Sequence, residues 1–180
     1  MIRRIVQAID PSLTPIVPRG FRHSASSMLN PNSLELNTAI NTLAVKYPKH
    51  AILVLIDSDD DCPKSLGPQL LSRAKAARPD LHISVVLAHR EYEVWFLASA
   101  ESLAGKRLLP ANLAAPADPE AFRDAKGWLN KQMSPSNRYS PTLDQAALSA
   151  SLDLHLAHQR SRSFRKLWKE IQQITASAPR

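Results

Sequence analysis

The run Ala51-Ile52-Leu53-Val54-Leu55-Ile56, broken off by Asp57-Ser58-Asp59-Asp60-Asp61 and then Cys62-Pro63, decides how this chain folds. Six apolar residues without a polar interruption, rich in branched side chains, read as a strand buried on both faces. Pro63 suits the first turn of a helix, so a helix is expected over Lys64 to Arg78, where Pro79-Asp80 stops it. His82-Ile83-Ser84-Val85-Val86-Leu87-Ala88 reads as a second buried strand. Strand, helix, strand in that order implies a right-handed βαβ unit and a parallel sheet.

Outward from this unit, Ile2 to Ile9 reads as a short helix stopped by Asp10-Pro11. Leu13 to Val17 reads as a short strand that Pro15 and Pro18 confine to a sheet edge. Pro18 to Pro31 is a polar loop carrying Arg19, Arg22 and His23, after which Asn32-Ser33 caps a helix from Leu34 to about Tyr47. On the other side, Glu91 to Leu103 reads as one helix. Leu108 to Pro119 is an Ala- and Pro-rich connection, and helices follow near Pro119–Met133, Thr142–His158 and Ser163–Ala176. The expectation is one α/β domain over residues 1–180, with a core over about 1–104 and a helical C-terminal layer over 105–180.

Composition narrows the class. The 180 residues are 44% hydrophobic and 22% charged, ordinary values for a globular chain. No apolar run approaches the ~18 residues that span a bilayer, so no membrane association is expected. The single cysteine, Cys62, rules out an internal disulfide and a multi-cysteine zinc site. The expected compartment is the cytoplasm. The net charge of +7 gathers towards the two ends, with Arg3, Arg4, Arg19, Arg22, Lys46 and Lys49 in the first quarter and Arg160, Arg162, Arg165, Lys166, Lys169 and Arg180 in the last. A solvated basic surface and a rim for phosphate backbones, DNA or RNA, are equally compatible with it.

The chemistry centres on the acids. Ligands of parallel α/β sheets bind beyond the carboxyl ends of the strands, where Asp57 and Asp59 fall. Two carboxylates one residue apart can share a hard cation, and Mg²⁺ is commonly held by one or two carboxylates plus substrate phosphates. Asp61 reads as the cap of the helix after it, and Asp60 as solvent-facing. An EF-hand starting at Asp57 fails, because Cys62 and Pro68 stand at the positions that need Gly and Glu. No phosphate-binding glycine loop occurs, the four glycines being isolated. A phosphatase with an aspartate nucleophile stays open. Glu91 and Glu93 follow the second strand and either join the acidic edge or sit at a helix start and in solvent. His23, His89 and His155 lack partners at metal-ligand spacing, and Cys62 has no evident base.

Three ordered segments carry a family resemblance. The pattern Asp57-x-Asp59-Asp60-Asp61-Cys62-Pro63, then Val86-Leu87-Ala88-x-Arg90-Glu91-Tyr92-Glu93-x-Trp95-Phe96-Leu97-Ala98, then Arg160-Ser161-Arg162-Ser163-Phe164, resembles an uncharacterised bacterial Toprim-related family over about Ile5 to Ile174. The resemblance implies a Toprim-like parallel sheet flanked by helices, with Mg²⁺ (or Mn²⁺) on Asp57 and Asp59. It implies phosphodiester processing of a nuclease-like kind, and relatives of this type are often encoded near ATPases in systems suspected of phage defence. Glu91 and Glu93 would support the metal, and Arg160, Arg162 and Lys166 would steer phosphate. Lys126 resembles a family position that would neutralise developing charge, although by its residue type and place it reads first as a surface lysine. Toprim catalysis also needs a glutamate after a first strand. Here the first glutamate is Glu35, inside an expected helix, so the usual first strand and its glutamate are expected to be missing. The alternative reading is therefore an inactive binding or regulatory subunit, with a sheet edge that a partner fills.

Overall fold

The computed structural model describes residues 1–18 and 24–177. Its centre is two parallel strands, β1 (Ile52–Asp57) and β2 (Ile83–Ala88), with Ile52 opposite Ile83 and Asp57 opposite Ala88. Before them come α1 (Ile2–Ile9), α2 (Ala25–Leu29) and α3 (Glu35–Lys46), and between them α4 (Pro63–Ala77). After β2 follow α5 (Val94–Ala98), α6 (Ala100–Leu103), a 3-10 turn at Pro119–Ala121, α7 (Ala125–Gln132), α8 (Pro141–Ser151), α9 (Leu154–Arg160) and α10 (Arg162–Ala176).

The alternation of a strand's side chains divides the sheet between two apolar layers. Ile52, Val54 and Ile56, with Ile83, Val85 and Leu87, pack with Leu36, Ile40 and Ala44 of α3 and with Leu70 and Ala74 of α4. The opposite face presents Leu53, Leu55, Val86 and Ala88 to a larger cluster with Ile5 and Val6 of α1, Trp95 and Phe96 of α5, and Phe164, Leu167 and Ile171 of α10. The C-terminal helices therefore pack onto the sheet and onto α1. Trp95 anchors this layer, its Nε1–H donating to Ser163 Oγ at 2.9 Å and its ring meeting that of Phe164 edge-on at 5.5 Å. Among the described residues no helix is long and apolar enough to cross a membrane.

The βαβ unit stands as the pattern of residues 51–88 predicts. The differences lie where tertiary contacts override local pattern. Glu91 to Leu103 is not one helix but two, broken at Ser99, whose hydroxyl donates to the carbonyl of Asp153 and accepts from its N–H. The helix expected over Thr142–His158 breaks before Asp153, whose carboxylate accepts from the N–H groups of His155 and Leu156 and starts α9 afresh. Between Pro119 and Met133 only Ala125–Gln132 is α-helical, begun by Asp124, which accepts from Gly127 N–H at 2.6 Å. The polar loop expected from Pro18 to Pro31 contains α2, capped by Ser24. The expectations for Arg19, Arg22 and His23 fall outside the described residues. Leu13 to Val17 forms no strand. It lines an apolar groove that β1 also lines.

Some of the basic residues work inside the fold. Arg4 Nη1 donates to the carbonyls of Ser149 and Leu152, closing the C-terminal end of α8. Arg73 reaches the carbonyls of Met28, Leu29 and Ser33 and ties α4 to the α2–α3 connection.

Candidate functional site

The carboxyl ends of β1 and β2 are fastened together before any side chain reaches the site. Ser58 N–H donates to Ala88 O at 3.0 Å, Ser58 Oγ accepts from Arg90 N–H at 2.8 Å, and Asp59 N–H donates to Arg90 O at 3.0 Å. Asp59 and Arg90 both have left-handed backbones, φ 48° and 64°, uncommon for residues with a Cβ. Ser58 is fully buried and acts as the clasp between the two turns.

Asp57 projects from this clasp on the same face as Leu53 and Leu55. Its Oδ1 accepts from Tyr92 N–H at 2.9 Å. Burial and the nearby charge of Glu93 push its carboxyl up to about 6, while Lys126 and the Tyr92 N–H act in the opposite sense. Asp59, Asp60 and Asp61 are exposed, and Asp60 meets Arg123 at 3.3 Å. Cys62, not Asp61, occupies the residue before the first turn of α4.

Glu91 and Glu93 do join the acidic edge, and Lys126 binds both. Its Nζ lies 2.9 Å from Glu91 Oε1 and 3.0 Å from Glu93 Oε2. Glu91 Oε2 also accepts from Lys126 N–H at 3.1 Å, so this carboxylate sits on the N-terminal end of α7. Glu93 is buried, and its Oε1 accepts from Tyr139 OH at 2.8 Å and Gln145 Nε2 at 3.2 Å. Burial works to lower the Lys126 pKa, but the two carboxylates together outweigh it and hold the ammonium above the ordinary lysine value. Lys126 is thus a structural counter-ion, not a free surface lysine. Burial pushes the Tyr92 phenol up to about 12, and its OH shares a 2.6 Å hydrogen bond with Ser149 Oγ.

The remaining basic residues expected at the site have other partners. Arg160 pairs with Glu101 at 2.7 Å, Lys166 with Glu170 at 2.6 Å, and the exposed Arg162 stands 4.0 Å from Glu120. Arg90 differs. Its Nη1 is buried and has no hydrogen-bond partner, alone among the cationic groups of the described residues. Sequence reasoning named neither Tyr139 nor Gln145. Both lie more than 40 positions from Glu93 in the chain, and neither spacing nor composition connects them.

The residues present fit a cation only in part. Among the described residues no three His, Cys, Asp or Glu side chains gather as a complete metal site. Of the two aspartates expected to hold one, Asp57 is half-buried and Asp59 is exposed.

Fold and site define an α/β protein with a parallel strand pair, carrying a buried Glu–Lys cluster beside a strand-end aspartate. The chain belongs to the family described as Domain of unknown function (DUF4276), whose model matches residues 4–172. No curated protein and no solved structure matches it.

Proposed function

We propose that this protein is a Toprim-like, metal-dependent phosphodiester-processing domain of nuclease-like activity. The observation that supports it best is that the two turns at the carboxyl ends of the parallel strands, fastened to each other through Ser58 and Asp59, carry Asp57 and Arg90. Asp57 offers a carboxylate in a surplus of negative charge, which a cation would relieve. Arg90 offers a guanidinium nitrogen that is buried without a partner, an arrangement costly unless an anionic oxygen completes it. In this reading Asp57 and Asp59 hold Mg²⁺ or Mn²⁺, which would polarise the phosphoryl oxygens. Arg90 holds the phosphate, taking the role expected of Arg160, Arg162 and Lys166. Glu91, Glu93 and Lys126 position the turn after β2 and set the charge around Asp57. DNA or RNA is the substrate class, in keeping with the formal net charge of +7.

The second reading is a binding or regulatory subunit. It is favoured by the commitment of Glu91 and Glu93 to Lys126, Tyr139 and Gln145, which leaves the cation few free ligands. Electron paramagnetic resonance of Mn²⁺, titrated with protein and a short oligonucleotide, separates the two. The first reading expects tighter Mn²⁺ binding with the oligonucleotide present, weakened about tenfold or more in Asp57→Asn. Equal binding by both proteins favours the regulatory subunit.

A further inference from the structure

Tyr92 serves two places. Its main-chain N–H holds Asp57 Oδ1, and its side chain lines a cavity of about 440 Å³. Met1 and one stripe of α8, made of Thr142, Gln145, Ala146 and Ser149, form other walls of that cavity. The four α8 positions follow the three- and four-residue spacing that keeps side chains on one face of a helix. Tyr92 and Gln145 also line the apolar groove in which Asp57 stands, so the cavity and the candidate site share two walls.

The cavity is polar and uncharged. No Asp, Glu, Lys or Arg side chain lines it, so a phosphate finds no cation there. Tyr92 OH and Ser149 Oγ satisfy each other at 2.6 Å. Gln145 and Thr142 differ from them. Gln145 Nε2 donates to Glu93 Oε1, and a carboxylate paired with Lys126 can only accept. The amide is thereby oriented, and among the described residues no donor meets its Oε1. Thr142 is exposed, and its hydroxyl meets no partner among the described residues. One helical turn, about 5–6 Å between Cβ atoms, separates this hydroxyl from the Gln145 acceptor.

An acceptor beside a hydroxyl that can donate matches the Watson–Crick edge of a nucleobase, on which a donor lies next to an acceptor. In a duplex that edge is already spent on the opposite strand. The volume lies within the range of small-ligand sites, roughly 300–1,000 Å³. We propose that the cavity receives one unpaired nucleobase of the strand whose phosphate lies at the carboxyl ends of β1 and β2. The substrate is therefore single-stranded, or locally unpaired, at the point of cleavage. The Thr142 hydroxyl turns to donate or accept, so the cavity recognises a base without choosing among the four. This inference rests on the nucleic-acid reading proposed above and deepens it.

The probes are cytidine, adenosine and ribose, and a short oligonucleotide offered as a single strand and as a duplex. The readout is the amide chemical shifts of the full chain, without added metal. Both nucleosides are expected to shift the Gln145 side-chain amide and the backbone amides of Thr142 and Ala146 in a saturable manner, and ribose is expected to leave them in place. The single strand is expected to bind at least about tenfold more tightly than the duplex. Ala146 is exposed, so Ala146→Trp fills the cavity from the surface without touching the core. It is expected to remove the nucleoside shifts and to weaken single-strand binding about tenfold, with thermal unfolding unchanged. Shifts from the nucleosides support the cavity even where no strand is ever cut, whereas cleavage without such shifts overturns the cavity and leaves the metal reading standing. Shifts from ribose equal to those from the nucleosides, or equal binding of single strand and duplex, would also overturn it.

Discussion

The main-chain N–H of Tyr92 donates to Asp57 Oδ1 at 2.9 Å, so the turn after β2 directly grips the last side chain of β1. The bond crosses 35 positions of sequence and joins the two strand ends that the hydrophobic pattern alone leaves as neighbours of unknown register. It also fixes one oxygen of Asp57 within the fold.

The pH dependence of stability follows from Asp57. Its carboxyl is raised from 3.8 to about 6 in the folded chain. A raised acid favours the folded state while it holds its proton, so its contribution is fully present below about pH 4 and is lost as pH rises through about 6. Asp57→Asn keeps the acceptor for Tyr92 and removes the ionisation. With a chelator present, the variant is expected to be more stable than wild type at pH 7.5, by on the order of 2 kcal/mol, and equal to it near pH 4. Thermal unfolding at the two pH values measures the difference, and a variant equally stable at both would disprove the assignment.

Lys126 has the opposite standing. Its side chain is 35% exposed, but Glu93 beneath it is 1% exposed. Lys126→Met leaves a buried carboxylate without its cation, and removal of one partner of such a pair costs about 3–5 kcal/mol. The double variant Lys126→Met with Glu93→Gln is expected to recover much of that loss, since the amide still accepts from Tyr139. Urea denaturation of the single and double variants measures the coupling. Additive losses would show that the pair is not the unit described.

Phe164 tests the packing of the last helix. It is fully buried and edge-on to Trp95. Phe164→Ala is expected to cost about 3–5 kcal/mol. Trp95 fluorescence should shift to longer wavelength in the variant as the indole loses its neighbour. A loss under 1 kcal/mol would mean that α10 is peripheral to the fold.

The sequence made some of this legible and hid the rest for physical reasons. The unbroken run Ile52–Ile56, the proline that opens α4 and the second run before His89 are local patterns, and they produce the βαβ unit directly. Ser161 as the cap of α10 is local too, its Oγ accepting from Phe164 N–H. The breaks at Ser99 and before Asp153 are not local, because each serves a hydrogen bond to the other. Lys126 is similar: it reads as a surface lysine within the helix expected near Pro119–Met133, and only the fold brings it to Glu91 and Glu93. Leu13–Val17 has the composition of an edge strand, and what it lacks is a neighbour. Asp57 was readable from its place after a buried run, whereas the orphaned nitrogen of Arg90 becomes visible only when burial is known.

Cleavage of a nucleic acid backbone measures the proposed function most directly. Supercoiled plasmid and a labelled single strand are incubated with Mg²⁺ or Mn²⁺ and either wild-type protein or Asp57→Ala, each purified in the same way. Wild type is expected to nick or cut in a metal-dependent manner that a chelator abolishes, and Asp57→Ala is expected to lose at least about a hundredfold of that rate. Arg90→Ala should lose activity chiefly through weaker substrate binding. Equal cleavage by wild type and Asp57→Ala, or none by wild type with either metal, would contradict a catalytic role for the carboxyl end of β1.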